Sequence, residues 1–187
     1  MFRDIDGDGT RGSADQTIIG DPNADYTFGI TNNFSYKNWD LNIFFQGSQG
    51  GEIFNMTNVQ LFNGDSNTTY DYFNASRNGT APRAGNNSDR EISSRFVEDG
   101  SYVRLKNIAL GYNFPLEAVE KLGFENIRLS VSAQNLLTFT DYSGLDPEVS
   151  FFGGSGANNV KRNTAQGHDF GNYPTLQSVN FSLNVKF

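Results

Sequence analysis

The sequence predicts an all-β fold: an antiparallel, up-and-down segment of a transmembrane β-barrel, about five strands wide, with long extracellular loops. Three observations carry this. Five stretches of about ten residues alternate apolar and polar side chains, the length a tilted strand needs to cross a bilayer. The connections between these stretches alternate short and long. The composition suits strands and turns, with 14% aromatic residues, 17 Phe, 8 Tyr and 20 Gly.

The first strand is "YTFGITNNFS", which puts Tyr26, Phe28, Ile30 and Phe34 on one face. The second, "NWDLNIFFQGS", aligns Trp39, Leu41, Ile43 and Phe45, and the third aligns Ile108, Leu110, Tyr112 and Phe114. The fourth aligns Ile127, Leu129, Val131 and Ala133. The fifth, "VNFSLNVKF", is the most regular: Val179, Phe181, Leu183, Val185 and Phe187 against Asn180, Ser182, Asn184 and Lys186. Two places break the pattern. Arg104 and Lys106 share parity with Ile108 and Leu110, so either a bulge near Asn107 switches the face or both charges snorkel at the outer rim. In "SAQNLL", Leu136 and Leu137 are adjacent, which reads as a bulge or an exit from the membrane.

"YKN" joins the first two strands and "PLEAVEKLGFE", with room for one helical turn, joins the third and fourth. The other two connections, 50–100 and 141–173, are long and rich in Gly and Asn, far beyond ordinary β-connections. If the last residue lies on the periplasmic side, both short connections fall there and both long ones fall outside. The expected organisation is then an extracellular Asp/Gly loop (1–25), a hairpin (26–49), a long extracellular loop (50–100), two strands with a periplasmic turn (101–140), an extracellular loop (141–173) and a final strand (174–187). Aromatics cluster at both strand ends: Tyr36, Trp39, Tyr112, Phe114, Phe124 and Phe187 at one, and Phe28, Phe44, Phe45, Tyr102, Phe139 and Tyr142 at the other. Rings favour the membrane interface, so two girdles are expected. Five strands cannot close a barrel, and open edges are not viable in lipid. The chain is therefore expected to be the C-terminal part of something larger.

Composition excludes several classes. Hydrophobic residues make up 36% of the 187, mean hydropathy is −0.52, and no run reaches the roughly 18 apolar residues of a spanning helix. "MFRDIDGDGT" has no apolar segment of the signal-peptide kind, so an export signal is expected outside this chain. A net charge of −7 argues against nucleic acid. With no Cys there is neither a disulfide framework nor a Cys-ligated metal.

Three blocks, "RFVEDGSYVRLKNIALGYNFP" (95–115), "SAQNLLTFTDYSGLDPEVS" (132–150) and "GNYPTLQSVNFSLNVKF" (171–187), resemble the C-terminal end of SusC/RagA-type TonB-linked outer-membrane proteins. "IIGDPNADYTFGITNNFSYKNWDLNIFFQGSQG" (18–50) resembles the hairpin before it. The resemblance implies a large barrel closed by an N-terminal plug and coupled to TonB through a segment outside this chain. It also implies a SusD-type surface lipoprotein over the outer face, with oligosaccharides or peptides as cargo.

Among local motifs, "DIDGDGTRGSAD" has the spacing of a calcium loop: Asp4, Asp6 and Asp8 at positions 1, 3 and 5, Gly9 at 6, Thr10 at 7 and Asp15 at 12. A hard cation wants several oxygens, and Gly9 permits the turn that converges them. The competing reading is a solvated Asp/Gly turn. The final strand, with Val179, Phe181, Leu183, Val185 and Phe187, resembles the signal read by the barrel-assembly machinery; an ordinary edge strand is the alternative. Tyr70, Tyr72, Phe73, Phe151, Phe152 and Tyr173 are candidates for stacking on sugar rings, against plain loop packing. Asn42, Ser130, Ser132 and Gln134 are candidates for lining a lumen. His168 is the single histidine, and no nucleophile or carboxylate pair has a catalytic context, so no enzyme is expected.

The leading expectation is the C-terminal part of a TonB-dependent importer of oligosaccharides or other large nutrients in the outer membrane, in contact with its lipid. The alternative is a secreted, soluble all-β domain, stabilised by calcium, for carbohydrate binding or adhesion. The two differ in what touches the apolar face, hydrocarbon or a second layer of the same chain.

Overall fold

A computed structural model describes residues 3–10, 12–61, 93–121, 123–149 and 166–187. In chain order its elements are β1 (Tyr26–Tyr36), β2 (Trp39–Gln49), β3 (Glu52–Asn55), α1 (Met56–Leu61), β4 (Val97–Asp99), β5 (Tyr102–Asn113), α2 (Leu116–Glu120), β6 (Asn126–Thr140), β7 (His168–Asp169) and β8 (Ser178–Lys186). They fall into two compact units, one of 24–50, 101–141 and 174–187, the other of 1–23, 51–100 and 142–173.

The first unit is a five-stranded sheet in the order β1-β2-β5-β6-β8, every neighbour antiparallel. This is the up-and-down arrangement expected from the alternation. Lys37 at φ +52° turns β1 directly into β2. α2 supplies the expected helical turn between β5 and β6, and its Val119 is 1% exposed. Among the described residues, β1 and β8 each pair on one side only.

A bulge resolves both breaks in the pattern. Phe44 pairs with Asn107 and Phe45 with Leu105, so Lys106 is the extra residue. On the other side Leu105 pairs with Leu137 and Asn107 with Gln134, which sets Asn135 and Leu136 against Lys106. Asn135 takes φ +52°, a left-handed conformation that Asn tolerates better than most residues. Beyond the bulge the parity changes. Leu105 and Val103 join the face of Ile108, while Arg104 turns to the opposite face, where it is 2% exposed.

The second unit contains a three-stranded sheet in the order β4-β3-β7, with β3 antiparallel to β4 and parallel to β7. Its apolar core includes Ile53, Phe96 and Tyr142. No strand was expected in these stretches: β3 has four residues and β7 two, too short for alternation to register. Asn55 caps α1 by accepting the Asn58 N–H at 2.8 Å.

Candidate functional site

Directly paired residues of a sheet share a face, so the register sorts the wall into two surfaces. One is apolar, and five of its rows cross at least four strands each. Tyr36, Trp39, Tyr112, Leu129 and Leu183 form the first row, and Phe34, Leu41, Leu110, Val131 and Phe181 the second. Asn32, Ile43, Ile108, Ala133 and Val179 form the third, Ile30, Phe45, Leu105 and Leu137 the fourth, and Phe28, Gly47, Val103 and Phe139 the fifth. Most of these side chains are open, with Phe34 56%, Phe139 60%, Leu183 63% and Phe181 81% exposed. A soluble sandwich would cover them.

The aromatic rings obey this geometry in part. Trp39 and Tyr112 lie 4.5 Å apart, Tyr112 and Phe114 5.0 Å, and Phe124 and Phe187 5.4 Å, a cluster at one end as expected. At the other end Phe28, Phe45 and Phe139 are on the apolar face. Phe44 and Tyr102 are not: they face the polar side. Tyr142 belongs to the second unit and is 5% exposed.

The opposite face is polar and tied by side chains. Asn42 Nδ2 donates to Asn33 Oδ1 at 2.6 Å, and Asn107 Nδ2 donates to Asn42 Oδ1 at 2.9 Å, an amide chain across three strands. Nearer the first row, Arg128 holds Asp40 through two bonds of 2.6 and 2.7 Å and reaches Asn113 Oδ1 at 3.1 Å. The expected lumen residues Asn42, Ser130, Ser132 and Gln134 all fall on this face. The Asn33–Asn42–Asn107 chain and the Asp40–Arg128 pair were not legible in the sequence, because their meeting depends on register and on the bulge.

In the Asp/Gly loop only three of the four expected carboxylate ligands converge. Carboxylate oxygens of Asp4, Asp6 and Asp8 lie within 4.8 Å of one another, all exposed. Asp4 accepts the Gly7 and Gly9 N–H groups at 2.6 and 2.9 Å, with those glycines at φ +79° and +74°. Asp8 accepts both the N–H and the hydroxyl of Thr10, and these bonds hold its carboxyl below the usual range. Asp15 stands apart from the three and is bound to the Ile5 and Gly12 amides at 2.7 and 2.8 Å. Of the aromatic candidates, Tyr173 is 97% exposed, whereas Tyr70, Tyr72, Phe73, Phe151 and Phe152 lie outside the described residues.

The second unit also carries a buried polar cluster. Tyr142 donates to Asp169 Oδ2 at 2.5 Å, and Asp169 is 4% exposed. Glu98 accepts from Asn55, Ser143 N–H and Ser143 Oγ at 2.8 to 2.9 Å.

No family model matches the chain. Individual proteins do. TonB-dependent receptor P3 of Formosa agariphila is 48% identical over 191 residues, and TonB-dependent receptor SusC of Bacteroides thetaiotaomicron 32% identical over 193, each match covering 100% of this chain. Over its whole length the chain matches a segment of SusC/RagA-type TonB-dependent receptors. It spans 19% of the P3 receptor's length and 17% of SusC's, so it is a segment's worth of such a receptor. The fold agrees. A solved structure of the RagAB peptide importer in its open-open state matches with TM-score 0.66 at 22% identity, over 95% of this chain and 19% of that one. The closed-closed state matches with TM-score 0.67 at 22% identity, over 98% and 20%. A SusC/RagA-type barrel segment is an outer-membrane structure.

Proposed function

We propose that this chain is the C-terminal barrel wall and outer loop region of a TonB-dependent importer of oligosaccharides or other large nutrients. The observation that carries this reading is the two-faced sheet: five rows of open apolar side chains on one side, hydrogen-bonded amides and an ion pair on the other. The apolar side meets hydrocarbon, and the polar side borders the route that cargo takes. TonB acts through a part of the receptor outside this chain, a SusD-type lipoprotein covers the outer face, and the barrel-assembly machinery reads the strand holding Val179, Phe181, Leu183, Val185 and Phe187.

Site-directed spin labelling tests the faces. The chain has no Cys, so single cysteines here add no background of their own. In the reconstituted receptor, nitroxides at positions 131 and 181 should collide with oxygen, and nitroxides at 132 and 180 with a water-soluble nickel chelate. Chelate access at all four positions would sink the membrane reading.

The Asp4–Asp6–Asp8 cluster, with Thr10 and Asp15 behind it, is proposed to take Ca2+ and stiffen its loop. Three converging carboxylates and a left-handed Gly9 suit a hard cation. Added calcium should raise the receptor's melting midpoint over chelator, and the combined Asp4→Asn and Asp6→Asn change should abolish the rise. An identical midpoint with calcium and with chelator would count against a bound ion.

A further inference from the structure

The third row of the apolar face holds one amide. Asn32 pairs with Ile43, and the row continues through Ile108, Ala133 and Val179. On β1 the same face carries Tyr26, Phe28 and Ile30 to one side of Asn32 and Phe34 and Tyr36 to the other, so Asn32 stands near mid-height, where hydrocarbon is driest. It is exposed, and among the described residues its side chain has no hydrogen-bond partner. Its neighbours explain why. Ile30, Phe34 and Ile43 offer no polar atom, and Asn33, one residue on, faces the other side with Asn42.

An amide in lipid without a partner is among the costliest arrangements a side chain can adopt. Asn32 is also on β1, which among the described residues is hydrogen-bonded to β2 alone, so in lipid its other backbone edge calls for a further strand. A residue opposite Asn32 on that strand would stand about 5 Å away between Cβ atoms, within reach of the amide. We propose that Asn32 is a docking residue. It hydrogen-bonds a polar side chain on the adjoining strand of the same receptor's barrel and so fixes the register in which that strand joins β1. A slip by one residue would bring the adjoining strand's other face opposite Asn32, and a slip by two would set a different side chain there.

The proposal rests on the membrane reading, and its test keeps the two apart. Val and Thr have the same shape and both suit strands, so Asn32→Val and Asn32→Thr differ by one hydroxyl. Each is made in the full receptor, recovered from the outer-membrane fraction, and heated to find where the folded band, resolved on unboiled gels, is lost. If Asn32 has a polar partner, the Asn32→Thr receptor keeps its band to a higher temperature than Asn32→Val, and the parent outlasts both. If Asn32 only faces lipid, Asn32→Val is the more stable, because hydrocarbon rejects the hydroxyl. Val equal to or above Thr overturns the proposal and leaves the membrane reading standing. A parent receptor that yields no heat-sensitive band in the membrane fraction overturns both.

Discussion

Arg128 on β6 reaches Asp40 on β2 across the whole width of β5, and it can do so because the residue between them is Gly111. Asp40 pairs with Gly111 and Gly111 with Ser130, two residues from Arg128. A Cβ at 111 would run into the Arg128 guanidinium and lie 2.7 Å from Asp40 Oδ2. Gly111→Val should therefore displace the pair and lower the thermal midpoint more than Arg128→Gln does alone. In the double variant the two losses should fall short of adding, since the second change removes an interaction already broken. Fully additive losses would mean that Gly111 serves something other than this crossing. The pair is partly solvated on the polar face, so Arg128→Gln by itself is expected to cost little.

Val131 and Ser132 are neighbours with opposite surroundings. Val131 is in the second apolar row, while Ser132 pairs with Ala109 and Asn180 on the polar face. Arg at a lipid-facing position near the midplane costs roughly 2–4 kcal/mol, whereas a lumen-side Arg is tolerated. Denaturant unfolding of the receptor in lipid should show a loss of that order for Val131→Arg and little change for Ser132→Arg. The reverse order would place the lumen on the wrong side.

Much of the wall was legible because period two is a local property. Val179 to Phe187 and Trp39 to Phe45 declare their faces without any partner. What the sequence hid depends on distant residues. Phe44 and Tyr102 sit at a strand end among aromatics, yet they face the polar side, and only the pairing shows it. The Asn33–Asn42–Asn107 chain requires three strands in register, and Lys106 shifts that register by one. The second unit was the least legible. Its strands are short, and beside its apolar core it buries polar groups, Asn55 and Asp169, that read as loop composition. The Asp/Gly loop was the easiest local motif, since its spacing alone implied the convergence of Asp4, Asp6 and Asp8.

The bulge offers a separate test. Asn135 Nδ2 donates to the Leu176 carbonyl at 3.0 Å, and Gln177 Nε2 donates to the Leu136 carbonyl at 3.2 Å. These two amides continue the β6–β8 contact past its last backbone pair, Gln134 with Ser178. Asn135→Gly keeps the φ of +52° accessible but loses one bond, about 1 kcal/mol. Asn135→Val loses the bond and also forces a β-branched residue into left-handed space, adding about 1–2 kcal/mol. Hydrogen exchange at Val179 and Asn180 should accelerate more for Asn135→Val than for Asn135→Gly. Equal acceleration would mean that the backbone there relaxes freely.

Tyr142 makes a prediction about pH. Burial first, then its bond to Asp169 and the negative charges of Asp169 and Glu98, push its phenol well above the ordinary value of about 10. The folded state therefore keeps the proton after the unfolded chain has lost it. By linkage, the stability that this hydroxyl supplies is fully present below about pH 10 and declines as the pH rises above that value. Tyr142→Phe removes the donor and leaves the Asp169 carboxylate buried with weaker partners, Thr57 Oγ1 and Asn172 N–H, both at 3.4 Å. The expected cost at neutral pH is about 1–3 kcal/mol, read as faster hydrogen exchange at His168, Asp169 and Gly171. Above pH 10 the difference between the two proteins should shrink, because the parent loses stability there that the variant never had. A gap that stays constant from pH 7 to pH 11 would mean that the Tyr142 hydroxyl does not titrate with folding.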